Sequence, residues 1–129
     1  MLFDTGLLAH LLGISSRESL LLHPNLGLIF ETKIRLEINA ILSSRLIPAT
    51  LYHWRTKDGY EVDIILEYDA KFYAFECKWN FKLQKETFRG LRKFKQLFPK
   101  SCVYTGVIIP YGHYQELEEG IFILPWFQK

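Results

Sequence analysis

Gly59-Tyr60-Glu61-Val62-Asp63-Ile64-Ile65-Leu66-Glu67-Tyr68-Asp69-Ala70-Lys71-Phe72-Tyr73-Ala74-Phe75-Glu76-Cys77-Lys78-Trp79 is the stretch from which the architecture follows. Asp58-Gly59 is a hairpin turn signal, and Tyr60–Glu67 then alternates, with Val62, Ile64 and Leu66 on one face and Glu61, Asp63 and Ile65 on the other. Tyr68-Asp69-Ala70-Lys71 reads as a second turn. Phe72–Trp79 alternates again, with Phe72, Ala74, Glu76 and Lys78 on one side. Two strands joined this tightly are hairpin neighbours. Asp63 lies five residues before Tyr68 and Glu76 five after Lys71, so the two acids face each other across the ladder, about 5 Å apart. Lys78, two residues beyond Glu76, leaves the sheet on the same side.

Chemistry follows from that placement. Two carboxylates held so close repel, and one takes up a proton unless a cation lies between them. Paired hard oxygen donors suit Mg²⁺ (or Mn²⁺), typically beside a substrate phosphate. A lysine one pleat along puts positive charge where phosphoryl transfer builds up negative charge. The bland reading of Glu76-Cys77-Lys78 is a surface ion pair worth ~0–1 kcal/mol. Against it stand Phe72, Tyr73, Ala74, Phe75 and Trp79, a setting too apolar for charges without a purpose.

Upstream, Leu28–Leu46 has Phe30, Ile34, Ile38, Ile41 and Leu42 at helical spacing, with Glu31 at the edge of that stripe and Pro48 beyond it. Leu51–Arg55 is strand-like. Downstream, Phe88, Leu91, Phe94 or Lys95, and Phe98 form the apolar face of a helix over roughly Lys85–Phe98 that Pro99 stops. Ser101–Ile109 is a continuous apolar run, the pattern of a buried parallel strand. A turn at Pro110–His113 and an acidic loop at Glu116–Glu119 lead to a last strand at Ile121–Leu124. Residues 1–26 read as an irregular lead-in, with a short helix over Leu7–Leu12 and a helix-start signature at Ser15-Ser16-Arg17-Glu18. The order is helix, three antiparallel strands, helix, strand, strand: one α/β domain over residues 1–129.

Bulk composition narrows the functional classes. A chain of 129 residues with 49% hydrophobic and 16% aromatic residues has a packed core and is not disordered. Cys77 and Cys102 are too few for a disulfide framework and sit in apolar runs, which suits a reducing compartment. The apolar run Leu20–Leu22 is far below membrane-spanning length, so a cytoplasmic, membrane-free protein is expected. Net charge is only +2, yet Lys78–Lys100 carries eight cations against the single anion Glu86. Lys82, Lys85, Arg89, Arg92 and Lys93 are therefore candidates for tracking a phosphate backbone. The competing reading is a solvated basic face balanced by the acidic Glu116–Glu119 stretch. His10, His23, His53 and His113 have no zinc spacing.

The motifs together resemble a known superfamily. Asp63, the hairpin, Glu76-Cys77-Lys78 and a preceding helix bearing Glu31 look like the PD-(D/E)XK nucleases, with Val62 where a proline often precedes the aspartate. More narrowly, Phe3-Asp4-Thr5-Gly6-Leu7-Leu8, Gly27-Leu28-Ile29-Phe30-Glu31, Tyr52-His53-Trp54-Arg55, Gly59-Tyr60-Glu61-Val62-Asp63, Leu91-Arg92-Lys93-Phe94 and Leu124-Pro125-Trp126 resemble the domain of unknown function found C-terminal to the core of prokaryotic AAA-type ATPases.

That resemblance implies a restriction-endonuclease-like three-layer core: a mixed sheet, hairpin meander plus parallel strand, flanked by helices. It further implies the C-terminal part of a longer ATPase, with Asp63, Glu76 and Glu31 as metal ligands and Lys78 as the catalytic cation. No phosphate-binding Gly-x-x-x-x-Gly-Lys-Ser/Thr loop occurs in the chain. The leading expectation is a metal-dependent nuclease-like domain acting on or binding DNA, with the ATPase core as partner and room for a homo-oligomer. The rivals are a catalytically silent DNA-binding module and a protein-docking domain.

Overall fold

The computed structural model describes residues 25–80, 85–118 and 120–127. The expected Leu7–Leu12 helix, the Ser15 helix start, the Leu20–Leu22 run and Lys82 lie outside the described residues. The chain divides into two compact units, residues 1–47 and 48–129. In the first, α1 spans Leu26–Ser44 and buries Leu26, Ile29, Phe30 and Ile34 along one stripe. It ends two residues before the predicted Leu46, because Leu46 takes a left-handed conformation (φ 54°). There the amides of Leu46 and Ile47 bond back to the carbonyls of Ser43 and Leu42. This is a Schellman closure with leucine where glycine is usual.

The second unit is a six-stranded mixed sheet in the order β1-β2-β3-β4-β6-β5. Its strands are β1 (Thr50–Arg55), β2 (Glu61–Tyr68), β3 (Lys71–Cys77), β4 (Cys102–Ile109), β5 (Gln115–Glu118) and β6 (Ile121–Pro125). The first three are antiparallel, β3, β4 and β6 run parallel, and β5 returns antiparallel at the edge. The chain thus has the expected α/β character and mixed sheet. The expected acidic loop contributes β5 instead: Glu116 and Glu118 pair with Phe122 and Ile121. A short, charged edge strand is a common way to end a sheet without inviting further pairing. The expected helix over Lys85–Phe98 divides into a 3₁₀ turn, Lys85–Phe88, and α2, Arg89–Leu97.

α2 lies on one sheet face. Its Leu91 and Phe94, with Phe88 before it, pack on Val62, Ile65 and Ala74 of the hairpin and on Val107, Ile109, Ile121 and Ile123. Burying each large side chain contributes about 1.5–3 kcal/mol. Trp54 and Phe72 meet Phe94 edge-on, at 5.2 and 5.6 Å between ring centroids. On the other face Tyr104 stacks on Phe122 (5.3 Å), and Phe122 on Tyr114 (5.7 Å).

One expectation about β2 needs correction. Val62 joins Ile65 in the α2-facing core, and Ile64 does not. The pairing of β1 with β2 shifts between Tyr52 and Trp54, which face Ile65 and Val62, so β2 carries an extra residue in a bulge. Simple alternation therefore fails at Asp63. No described helix is long and apolar enough to cross a membrane.

The β2–β3 turn closes on Asp69 and Ala70, both at positive φ (53° and 61°). A tight hairpin turn of this kind favours glycine or asparagine, and alanine there costs about 1–2 kcal/mol. Ala70→Gly relieves that strain, offset in part by the freer unfolded chain. Urea unfolding should show the variant about 1 kcal/mol more stable than the parent; an unchanged or lower midpoint would contradict the turn geometry.

Candidate functional site

At the end of the hairpin remote from this turn, the β2–β3 ladder stops at the Ile64–Phe75 pair. The next pair in register is Asp63 and Glu76. The Asp63 carboxylate there accepts the Cys77 main-chain N–H, Oδ2 to N 2.8 Å, in place of a ladder bond. β3 meanwhile continues its parallel pairing with β4, as Lys78 N–H donates to the Ile108 carbonyl at 2.8 Å. The two strands part just where the acids sit. A cleft of about 250 Å³ opens there, lined by Tyr60, Glu61, Asp63, Glu76, Lys78 and the first residues around α2, Glu86, Thr87, Arg89 and Gly90.

Electrostatics inside the cleft follow from burial. Glu76 is only 8% exposed. Desolvation, reinforced by the Asp63 charge and a carboxyl–carboxyl hydrogen bond to Asp63, pushes its pKa up to about 9, while Lys78 pulls the other way. Glu76 therefore keeps its proton near neutrality, the outcome expected for a buried carboxyl beside another acid with no cation between them. Lys78, half-buried, lines the same cleft. Glu61 stands more exposed and is held by His53, whose Nε2 lies 2.9 Å from its carboxylate while Nδ1 faces the Asp63 carbonyl at 3.3 Å.

Asp63, Glu76 and Lys78 are thus brought together. Glu31 lies half-buried on α1, in the other unit. Among the described residues no group of three or more His, Cys, Asp or Glu side chains is placed to hold a metal ion. The predicted basic residues divide. Arg89 and Lys93 lean on the Tyr60 ring, at 4.1 and 5.0 Å from its centroid. Arg92 instead makes a bidentate ion pair with Glu118, Nε to Oε2 3.1 Å, which ties α2 to β5. Lys85 lies on the 3₁₀ turn.

Two residues escaped the sequence reading. Tyr60 enters the sequence analysis at the start of a strand and within the motif Gly59–Asp63, with no role of its own; an aromatic residue beside an acidic site and upstream of a basic helix is the available signal. Gly90 was not singled out. A Cβ at Gly90 would lie 1.9 Å from the Glu61 carbonyl oxygen, so glycine lets the α2 backbone rest directly on β2. That contact brings Arg89 to the cleft.

An α/β domain with a mixed sheet and a carboxylate–lysine cleft between its splayed strands is the class defined by these features. The chain belongs to the family described as a domain of unknown function, DUF4143, whose model matches residues 26–128. Uncharacterised proteins of Mycobacterium bovis and Mycobacterium tuberculosis are each 40% identical to it over 75 residues, 58% of this chain. The match spans only 16% of either mycobacterial protein. Among solved structures, the refined half-complex from the tetradecameric assembly of Thermococcus gammatolerans McrB AAA+ hexamers with bound McrC contains a similar chain. That similarity covers 78% of this chain and 27% of the other, at TM-score 0.45 and 14% identity, too distant to decide function.

Two predictions follow from the site. Between about pH 4.5 and 9 the folded chain keeps on Glu76 a proton that the unfolded chain has lost, so raising pH through this window weakens the fold. In a chelator-containing buffer, urea midpoints of the parent should fall from pH 5 to pH 8, and Glu76→Gln should remove most of that slope. A parent and variant with parallel pH profiles would mean Glu76 is ionised in the fold. Gly90→Ala forces the backbones apart and should cost about 1–3 kcal/mol, whereas Gly27→Ala in α1, where a Cβ meets nothing within 4 Å, should not destabilise.

Proposed function

We propose that this chain is a nuclease-like, metal-dependent phosphodiesterase domain of the restriction-endonuclease-like kind, acting on DNA and serving an attached AAA-type ATPase. The observation that carries this reading is the convergence of Asp63, Glu76 and Lys78 in one cleft at the parting of β2 and β3.

The donor set fits a hard divalent cation such as Mg²⁺ or Mn²⁺: two carboxylates, one of them buried and burdened with a proton that a cation would displace. Asp63 and Glu76 would hold it. When bound, the cation supplies Lewis-acid activation of a phosphodiester and of water. The chain's own contributions are separate from this. The Cys77 amide fixes the Asp63 carboxylate. The β3–β4 pairing fixes Lys78, whose ammonium group offers a positive charge to a phosphate oxygen as negative charge grows there. Arg89 and Lys93, with Lys82 and Lys85 from the same basic stretch, would attract the DNA backbone. The ATPase partner rests on the sequence motifs shared with ATPase-linked domains, and the greater length of the mycobacterial relatives accords with it. Two buried cysteines suit a reducing compartment and so support a cytoplasmic location.

A second reading is favoured by a specific observation: the described residues bring together no three metal-ligating side chains. On that reading the fold is catalytically silent and serves DNA binding or docking to a protein.

Plasmid nicking separates the two. The parent should nick supercoiled DNA with Mg²⁺ or Mn²⁺, not with chelator, and Lys78→Ala and Asp63→Ala should each lower the rate by at least about 10²-fold. DNA binding without metal-dependent nicking would select the silent module. Titration calorimetry with Mn²⁺ gives an independent answer. Because the cation competes with a proton, its affinity should rise with pH and vanish in Asp63→Asn.

A further inference from the structure

We propose that Arg89 and Lys93, set on the ring of Tyr60, form a second phosphate subsite that takes a backbone phosphate next to the one at the carboxylate pair. The substrate class is then a polynucleotide strand rather than a small phosphodiester. The subsite rests on the nuclease-like reading of the cleft and deepens it.

Three observations converge. Arg89 and Lys93 are four residues apart on α2, so one helix face projects both. Both approach the same ring, Arg89 with its guanidinium carbon 4.1 Å and Lys93 with its ammonium 5.0 Å from the Tyr60 centroid. Among the described residues neither has a carboxylate within ion-pair distance, whereas their neighbour Arg92 is committed to Glu118. Two like charges gathered over one ring repel, and the Glu61 and Glu86 carboxylates that line the cleft beside them make no ion pair with either. Cation–π attraction offsets part of that cost, and an anion offsets the rest.

Position selects the anion. Tyr60 and Arg89 line the cleft that holds Asp63, Glu76 and Lys78. Lys93, one helical turn further along α2, does not line it. The cationic pair therefore leads outward from the cleft, the direction in which a strand occupying it would continue. Arg89 presents a planar fork suited to phosphate oxygens, and Lys93 a point charge beyond it. Tyr60 is the positioning residue: its ring, just before β2, gives two flexible side chains a common rest and so lowers the ordering cost of binding.

The test uses the whole chain and a short fluorescein-labelled DNA duplex in chelator, so that binding is read without cleavage. Each lost phosphate contact lowers the slope of log affinity against log salt by about 0.9. Arg89→Ala combined with Lys93→Ala should reduce the slope by about two. Lys71→Ala, the loss of one positive charge at the far end of the hairpin, should leave it unchanged. Tyr60→Phe should bind as the parent does, and Tyr60→Leu should bind about ten-fold more weakly at unchanged thermal stability. A parent-like slope in the double variant, or equal affinities for the two Tyr60 variants, overturns the subsite while leaving the carboxylate site intact. Absence of DNA binding by the parent overturns both.

Discussion

The hydrogen bond from the Cys77 amide to the Asp63 carboxylate is the contact on which the site depends. In an uninterrupted ladder that amide would face a main-chain carbonyl, and β2 and β3 would stay closed over their whole length. A side-chain acceptor lets the main chains part without leaving a buried donor unsatisfied, which would cost about 1–3 kcal/mol. The parting is also where β2 bulges against β1, so the strand bends on one edge while it is released on the other. Bulges concentrate beside functional sites because they re-aim side chains at little cost in pairing.

The rest of the second unit supports this break. Glu76 is buried because Ala74 and Phe72, on the same face of β3, belong to or pack against the α2-facing core. Lys78 stays in line because β3 is still anchored to β4 through Ile108 after β2 has left it. Gly90 allows α2 to begin directly over the Glu61 carbonyl, which carries Arg89 to the opening. Farther along the helix, Leu91 and Phe94 fix its roll, and the Arg92–Glu118 pair fastens its exposed side to β5. Exposed ion pairs of this kind contribute little to stability. Here the pair's consequence is selective: it removes one cation from the basic face and leaves Arg89 and Lys93 as the two that meet over Tyr60.

Much of this was legible before any coordinates. The strand boundaries around Asp63 and Glu76 followed from alternation and from the Asp-Gly turn, and the register followed from counting away from Tyr68 and Lys71. The closeness of the two acids is a consequence of that count. What the count missed has a physical reason in each case. A bulge inserts one residue without any mark in composition, so Val62 was assigned to the face of Ile64. β5 was read as a loop because Gln115–Glu118 has poor strand propensity, and its pairing comes from β6 rather than from its own side chains. Gly90 stands in a helical pattern where glycine usually signals only weakness. Its meaning depends on a carbonyl 29 positions away in sequence, which no local pattern contains.

The charge arrangement ties these points to chemistry. A fold gains nothing by burying an acid beside another; Glu76 keeps a proton and costs desolvation, and Lys78 relieves only part of it. A fold likewise gains nothing by gathering Arg89 and Lys93 over one ring with no ion pair to either among the described residues. Either feature alone has an ordinary structural explanation. Their adjacency does not, because Arg89 of the positive pair lines the same cleft as the two acids and, among the described residues, makes no ion pair with either. Charges of opposite sign kept apart across an opening are complementary to a ligand that has both a metal-binding oxygen and further negative charge along its length. A phosphodiester strand has that distribution, and a neutral or singly charged ligand does not.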